Sequence, residues 1–397
     1  FGSRSRKTET LRVVPAHSGL LAMGVHWWAA GPLLWLTARN FRCAGAFDEC
    51  YVPSVPSSVS LVQKSLQLRR RSMDEAPLAA EESRRAGVCT ETVPVKGSAR
   101  GLPILGYIGC CLPRDLDSAN VRPAAARYLA AGGRHVMTAP IYGNDQALGQ
   151  AIRDSGVPRE QIWVTTALEP IGVPTQNIRP WVADQVTESL QRLNVTYADD
   201  IYIHWGVTNV RRQDPNGRST VTQEMNLELY RGLIDMQRAG KTRHIAVGLH
   251  TRKEIEYLIN STGVTPDIMW GWITPFMPKK QIDLAMWAKR QGMAVAAWGP
   301  FNWMRLDKPA QLQEHRSITD ELARKYNASV YQIINRWYLD MDIAVVTSLL
   351  KPSYVEDDLY CLRTPLSPED RARLESVKWD CHQVDNIQPL PGCSDDF

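Results

Sequence analysis

Residues 133–145, Gly133-Arg-His-Val-Met-Thr-Ala-Pro-Ile-Tyr142-Gly-Asn-Asp145, read as a buried strand running straight into a polar loop that carries one tyrosine. A phenol placed there is a proton donor, but a free one has a pKa of about 10 and needs a neighbouring charge to work near neutral pH. Metal chemistry finds no support. The cysteines fall at 43, 50, 89, 110, 111, 361, 381 and 393, with no C-x-x-C and no histidine at ligand spacing.

Around this loop the chain has 397 residues, 44% of them apolar, enough for one large core such as a (β/α)8 barrel of roughly 250 residues or more, with a leader besides. The net charge of +4 comes from 46 basic and 42 acidic residues with no sustained basic face, which argues against nucleic acid as a partner. Met23 to Ala46 holds an apolar run too short to span a bilayer and ends in Ala44-Gly45-Ala46, an A-x-A cleavage pattern. We read 23–46 as a signal peptide, with a buried helix as the alternative, and 1–22 as translated leader sequence. That reading sends the chain into the secretory pathway or outside the cell, or to an organelle reached by that route. If it fails, the chain is cytoplasmic. No transmembrane segment is expected in the mature chain. Sequons at Asn194, Asn260 and Asn327 are compatible with secretion. Residues 47–100, rich in Ser, Pro, Arg and Glu, read as a flexible linker or targeting segment, and 386–397 as a tail.

From 101 to 385 apolar β-type runs alternate with helical periodicity, the signature of βα units around a parallel sheet buried on both faces. Eight candidate strands result: Ile104 to Ile108, His135 to Ala139, Ile162 to Thr166, Asp200 to His204, His244 to Gly248, Ile268 to Trp272, Met293 to Trp298 and Ile343 to Thr347. Glycines such as Gly240 and Gly292 stand where helices end, just before the next strand. No G-x-G-x-x-G follows the first strand, so the expected fold is a closed α/β barrel of TIM type and not an open doubly wound sheet.

Several stretches resemble the aldo-keto reductase family, in the family's order: 133–145 itself, Ser155-Gly-Val-Pro-Arg-Glu-Gln-Ile-Trp-Val-Thr-Thr166, Glu188-Ser-Leu-Gln-Arg-Leu193, Asp199 through Ile203-His204-Trp205, Gly240-Lys-Thr-Arg-His-Ile245 and Leu366-Ser-Pro-Glu-Asp370. The resemblance implies NADPH bound across the C-terminal mouth of the barrel and reduction of an aldehyde or ketone. It makes Tyr142 the proton donor and His204 the residue that orients the carbonyl. The family's aspartate and lysine, which tune the tyrosine, align with Met137 and Ala167. Losing both together leaves no orphaned buried charge, so an apolar site is expected.

The resemblance also sets the cofactor positions. Gly248 and Leu249 replace the hydroxyl and amide that hold the nicotinamide carboxamide, and Trp270 replaces a glutamine. Trp298, in Trp298-Gly299-Pro-Phe301, takes the place of the stacking tyrosine and keeps a π face. Lys351 could meet a phosphate, although Asp357 and Asp358 would repel one. Trp205, Trp270, Trp272, Trp298 and Trp303, with Met137 and Ala167 between them, are expected to line a wide aromatic pocket for a small apolar or carbonyl compound. Two functions follow. One is an NADPH-linked reductase weakened by loss of the aspartate and lysine; the other is a silent barrel that binds an apolar ligand or serves as a structural subunit, with Tyr142 and His204 kept for packing. Oligomeric state stays open.

Overall fold

The computed structural model describes residues 88–110, 118–209, 221–277, 279–301, 310–348, 354–355 and 359–377. The leader, signal-peptide and tail assignments lie outside them. Among the described residues the first strands form a hairpin that sequence reading missed: β1 (Thr92–Val93) pairs antiparallel with β2 (Leu102–Pro103). Several ties join this hairpin and its flanks to the rest, among them an Arg363–Glu91 ion pair at 2.6 Å. Cys89 is disulfide-bonded to Cys361, the Cys89 amide donates to the Leu359 carbonyl at 2.8 Å, and Arg100 meets Asp199 at 2.5 Å. The expected linker of 47–100 is therefore too long at its C-terminal end, because residues 88–100 belong to the folded unit. Two-residue strands are too short to show periodicity, which is why they escape sequence reading.

Eight parallel strands then close a barrel: β3 (Leu105–Ile108), β4 (His135–Met137), β5 (Trp163–Leu168), β6 (Ala198–Ile203), β7 (Thr242–Gly248), β8 (Ile268–Gly271), β9 (Ala294–Trp298) and β10 (Ala344–Thr347), with β10 pairing back to β3. All eight expected strands are present, shifted by a residue or two at their ends. Every residue of β5 and β6 is buried. Helices cover the outside, so each strand needs apolar atoms on both faces. The helices used below are α1 (Ser118–Ala130), α2 (Asp145–Asp154), α3 (Ile178–Leu193), α4 (Gln223–Arg238) and α5 (Arg252–Thr262). Sequence starts and stops them in the usual way. Thr251 and Glu254 form a capping box at the head of α5, and Gly263 ends it at φ 69°. Close packing fixes α2 on α3: a Cβ on Gly149 would lie 2.1 Å from the Leu193 carbonyl oxygen.

Candidate functional site

The Tyr142 loop is held by its own polar residues. After β4 the single Thr138 hydroxyl proton is shared between Asn144 Oδ1 at 2.7 Å and Asp145 Oδ1 at 3.2 Å, while the Asn144 amide donates to the Gly109 carbonyl. Pro140 to Tyr142 make one 3-10 turn, and Gly143 leaves it at φ 64°, a left-handed position suited to glycine. Arg192 of α3 then anchors Asp145 at 2.8 Å. Tyr142 is thus presented, half-buried, at the C-terminal mouth.

Its surroundings follow from strand alternation and register. Thr165 pairs with Asp200 and Ala167 with Tyr202, so one inward column carries Trp163, Thr165 and Ala167, and its neighbour Asp200 and Tyr202. The next inward step on each strand gives Glu169 and His204, and these meet: His204 Nδ1 lies 2.9 and 3.0 Å from the two Glu169 oxygens. The His204 ring stacks on Trp205, with centroids 4.1 Å apart and planes 4° from parallel, and meets Tyr142 edge-on at 6.0 Å. Met137 is 0% and Ala167 4% exposed, so the positions aligned with the family's aspartate and lysine are buried and uncharged. The expectation of an apolar site is nevertheless corrected, because Glu169 puts a carboxylate there. Burial pushes the Tyr142 phenol well above its ordinary range, and the Glu169 charge pushes it further. The Tyr202 hydroxyl faces Tyr142 closely enough to perturb it but falls short of hydrogen-bond geometry, and is buried with no partner.

Below this layer lies a buried polar network. Asp200 accepts from Trp163 Nε1 at 2.6 Å, Trp270 Nε1 at 3.0 Å and the Thr165 hydroxyl, and burial raises its carboxyl to about 6 against the pull of those bonds. Thr165 spends its one proton on Asp200, so it accepts from His135 Nε2 at 3.0 Å. That leaves His135 Nδ1 bare and without a partner, and burial lowers the imidazole to about 3. His244 stacks on Trp163 at 5.4 Å.

The tryptophans fill the barrel more than they line it, which corrects the wide-pocket expectation. Trp270 is 0% exposed and stacks on Trp298, itself 8% exposed, with centroids 5.5 Å apart. Trp205 is spent on His204, and Trp272 is half-buried against the core. Gly248 has a local reason: a Cβ there would lie 2.8 Å from both the His204 carbonyl and the Tyr202 ring. Leu249 keeps a left-handed φ of 48°, where an asparagine is at home and a leucine is strained. His250 turns inward, bonding its own Gly248 carbonyl at 2.8 Å and Asn226 of α4 at 3.2 Å. Gly299 sits at φ 69° and Phe301 packs edge-on against Tyr331 at 4.9 Å. Lys351, Trp303, Asp357 and Asp358 lie outside the described residues. Sequence reading missed Glu169, Tyr202 and Asp200; two-residue alternation from Trp163 and from His204 was the signal that could have found them.

A closed parallel barrel with a tyrosine and a histidine at its C-terminal mouth defines a class of barrel proteins that act on small molecules. Within it, the aldo/keto reductase family model matches residues 112–378, and the chain belongs to that family. Relatives include an aldo-keto reductase of Mycobacterium avium, 28% identical over 286 residues (72% of this chain, 89% of the relative). An aldehyde reductase of Saccharomyces cerevisiae is 28% identical over 303 residues, covering 70% of this chain and 92% of its own. Among solved structures, a Bombyx mori aldo-keto reductase in complex with NADP aligns with a TM-score of 0.63 at 23% identity, over 72% of this chain and 94% of that one.

Family and fold together support NADPH-linked carbonyl reduction in general terms. The described residues at the nicotinamide end do not fit the cofactor. No side-chain hydroxyl or amide stands at Gly248 or Leu249, the indole of Trp270 is turned down onto Asp200, and Trp298 already stacks on Trp270.

Proposed function

We propose that this chain is a carbonyl-binding barrel of the aldo-keto reductase family in which NADPH-linked reduction has fallen to a residual rate. One observation carries the reading: an uncharged Met137 and Ala167 stand where the tuning pair belongs, and Glu169 acts on Tyr142 in the opposite sense. Tyr142 remains the hydrogen-bond donor to a carbonyl oxygen and His204 its neighbour. A positioned general acid contributes on the order of 10² to 10⁴ in rate, and a phenol held above its ordinary pKa forfeits much of that. The ligand is a small carbonyl compound whose oxygen meets Tyr142 beside His204. The Cys89–Cys361 disulfide supports an oxidising compartment and with it the secretory route.

The test is NADPH oxidation against a panel of aldehydes and ketones, run beside the yeast aldehyde reductase, with a tryptophan-fluorescence titration by NADPH. Turnover about 10² or more below the yeast enzyme, with no quenching, is expected. A comparable rate with quenched fluorescence would overturn the proposal.

A further inference from the structure

We infer that the Glu169–His204 couple, with Tyr142, forms a redox-neutral acid–base site that enolises small carbonyl compounds, α-hydroxy ketones and aldehydes above all. The inference rests on the carbonyl-binding reading and adds a reaction to it.

Both oxygens of Glu169 are within reach of one nitrogen, His204 Nδ1. Among the described residues Glu169 has no other hydrogen-bond or ion-pair partner. A carboxylate held there keeps the ring proton on Nδ1, which leaves Nε2 as a bare acceptor. No protein group of the described residues bonds Nε2, and it is not among the buried atoms sealed off without a partner. The same holds for the Tyr142 hydroxyl, whereas the Tyr202 hydroxyl is sealed. One open acceptor and one open donor therefore stand on rings whose centroids are 6.0 Å apart. Trp205 stacked on one face of the imidazole prevents it from turning.

That is the equipment for moving a proton next to a carbonyl. With the carbonyl oxygen on the Tyr142 hydroxyl, His204 Nε2 takes the proton from the adjacent carbon. The C–H pair becomes the carbon–carbon double bond, and the carbonyl π pair moves onto oxygen. The oxygen stays hydrogen-bonded to Tyr142, and the imidazolium formed in the same step is balanced by Glu169. Returning a proton from Nε2 to the same carbon regenerates the substrate with one hydrogen exchanged. In an α-hydroxy compound, proton return to the other carbon, with loss of the hydroxyl proton, exchanges ketone for aldehyde. No electrons leave the substrate, and no co-reactant is needed.

Hydroxyacetone in D2O is the probe, without NADPH, followed by proton NMR. The protein should speed loss of the CH2OH signal at least 100-fold over buffer, and His204→Gln should abolish this with its melting temperature kept within a few degrees. Glu169 acts through His204, so its variant needs a second readout. Glu169→Gln should cut the rate at least tenfold and move the His204 15N shifts toward the tautomer with its proton on Nε2, since the amide can donate to Nδ1. Saturation-transfer NMR reports binding separately. Hydroxyacetone that binds without exchanging overturns the enolisation and leaves carbonyl binding standing; failure of any carbonyl compound to bind overturns both. Exchange that survives His204→Gln also refutes the assignment.

Discussion

Restoring the missing pair by Met137→Asp and Ala167→Lys tests whether the two positions face one site. Met137 pairs with Thr165, two residues before Ala167 on the same inward face, so the two are diagonal neighbours across β4 and β5. Met137→Asp alone places a carboxylate at a 0% exposed position with no cation beside it, a change expected to cost about 3–5 kcal/mol. Ala167→Lys alone is milder than an apolar mouth would suggest. Glu169 lies two residues along the same strand direction, about 6.6 Å away, within reach of a lysine stem, so overpacking against Tyr202 dominates at about 1–3 kcal/mol. Independent effects would sum to about 4–8 kcal/mol. A formed pair should recover at least ~1.5 kcal/mol of that, seen as a double variant more stable than the sum of the singles in chemical denaturation. The Tyr142 phenol should move down toward its ordinary pKa in an ultraviolet titration, since an ammonium favours the phenolate. A coupling below about 0.5 kcal/mol would refute the mapping of these two residues onto one site.

Reducing the Cys89–Cys361 bond, or replacing both with serine, should destabilise the barrel by about 3–5 kcal/mol in a denaturant melt, because the closed loop spans a sequence separation of 272 and disulfide stabilisation grows with loop length. Chains beginning near residue 98, which lack β1 and Cys89, should melt as low as the reduced protein. Gly248→Ser, which restores the family's hydroxyl, should cost about 1–3 kcal/mol through the Cβ clash with the His204 carbonyl and Tyr202, and Tyr202→Ala should relieve part of it. His135 has a folded pKa of about 3 against 6.5 for an ordinary histidine, so its contribution is fully present above pH 6.5 and is lost as pH falls toward 3. Acidification over that window should remove up to about 5 kcal/mol, and His135→Gln should make the acid transition shallower. Asp200, raised to about 6, works the other way: its contribution is greatest below its unfolded value of 3.8 and is lost as pH rises through 6, which flattens the net acid response.

The eight strands were legible because a parallel sheet covered on both faces leaves continuous apolar runs, and Tyr142 was legible because a buried strand runs straight into its polar loop, whose Thr138 the structure shows bonded to Asn144 and Asp145. Three things were not. The β1–β2 hairpin has two-residue strands, and its hold on the barrel is a long-range disulfide that no local pattern encodes. Glu169 was passed over because the expected strand ended at Thr166 and even β5 ends at Leu168, yet the inward face of a strand extends one step past its last ladder bond. The tryptophans were placed correctly in sequence but misjudged in space. Whether an aromatic ring lines a cavity or fills it depends on which other rings share the interior, and Trp270 found Asp200 and Trp298.

The substitutions at 137 and 167 also bear on which reaction the remaining groups can assist. Carbonyl reduction ends in an alkoxide, which needs both a cation nearby and a proton donor of lowered pKa. Among the described residues the charge that acts on Tyr142 is the Glu169 carboxylate, and the phenol is shifted upward, so an alkoxide would meet repulsion and a reluctant acid. The oxygen of an enolate is a weaker base than that of an alkoxide and asks Tyr142 only for a hydrogen bond. Its countercharge is made in the same step, since the proton that leaves carbon arrives on His204 beside it. Glu169, which hinders the first reaction, favours the second by holding His204 in the orientation and tautomer that accept the proton. One carboxylate therefore disfavours hydride chemistry and favours proton transfer, and the substitution Glu169→Ala should separate the two: weaker exchange of hydroxyacetone, with Tyr142 titrating closer to an ordinary phenol.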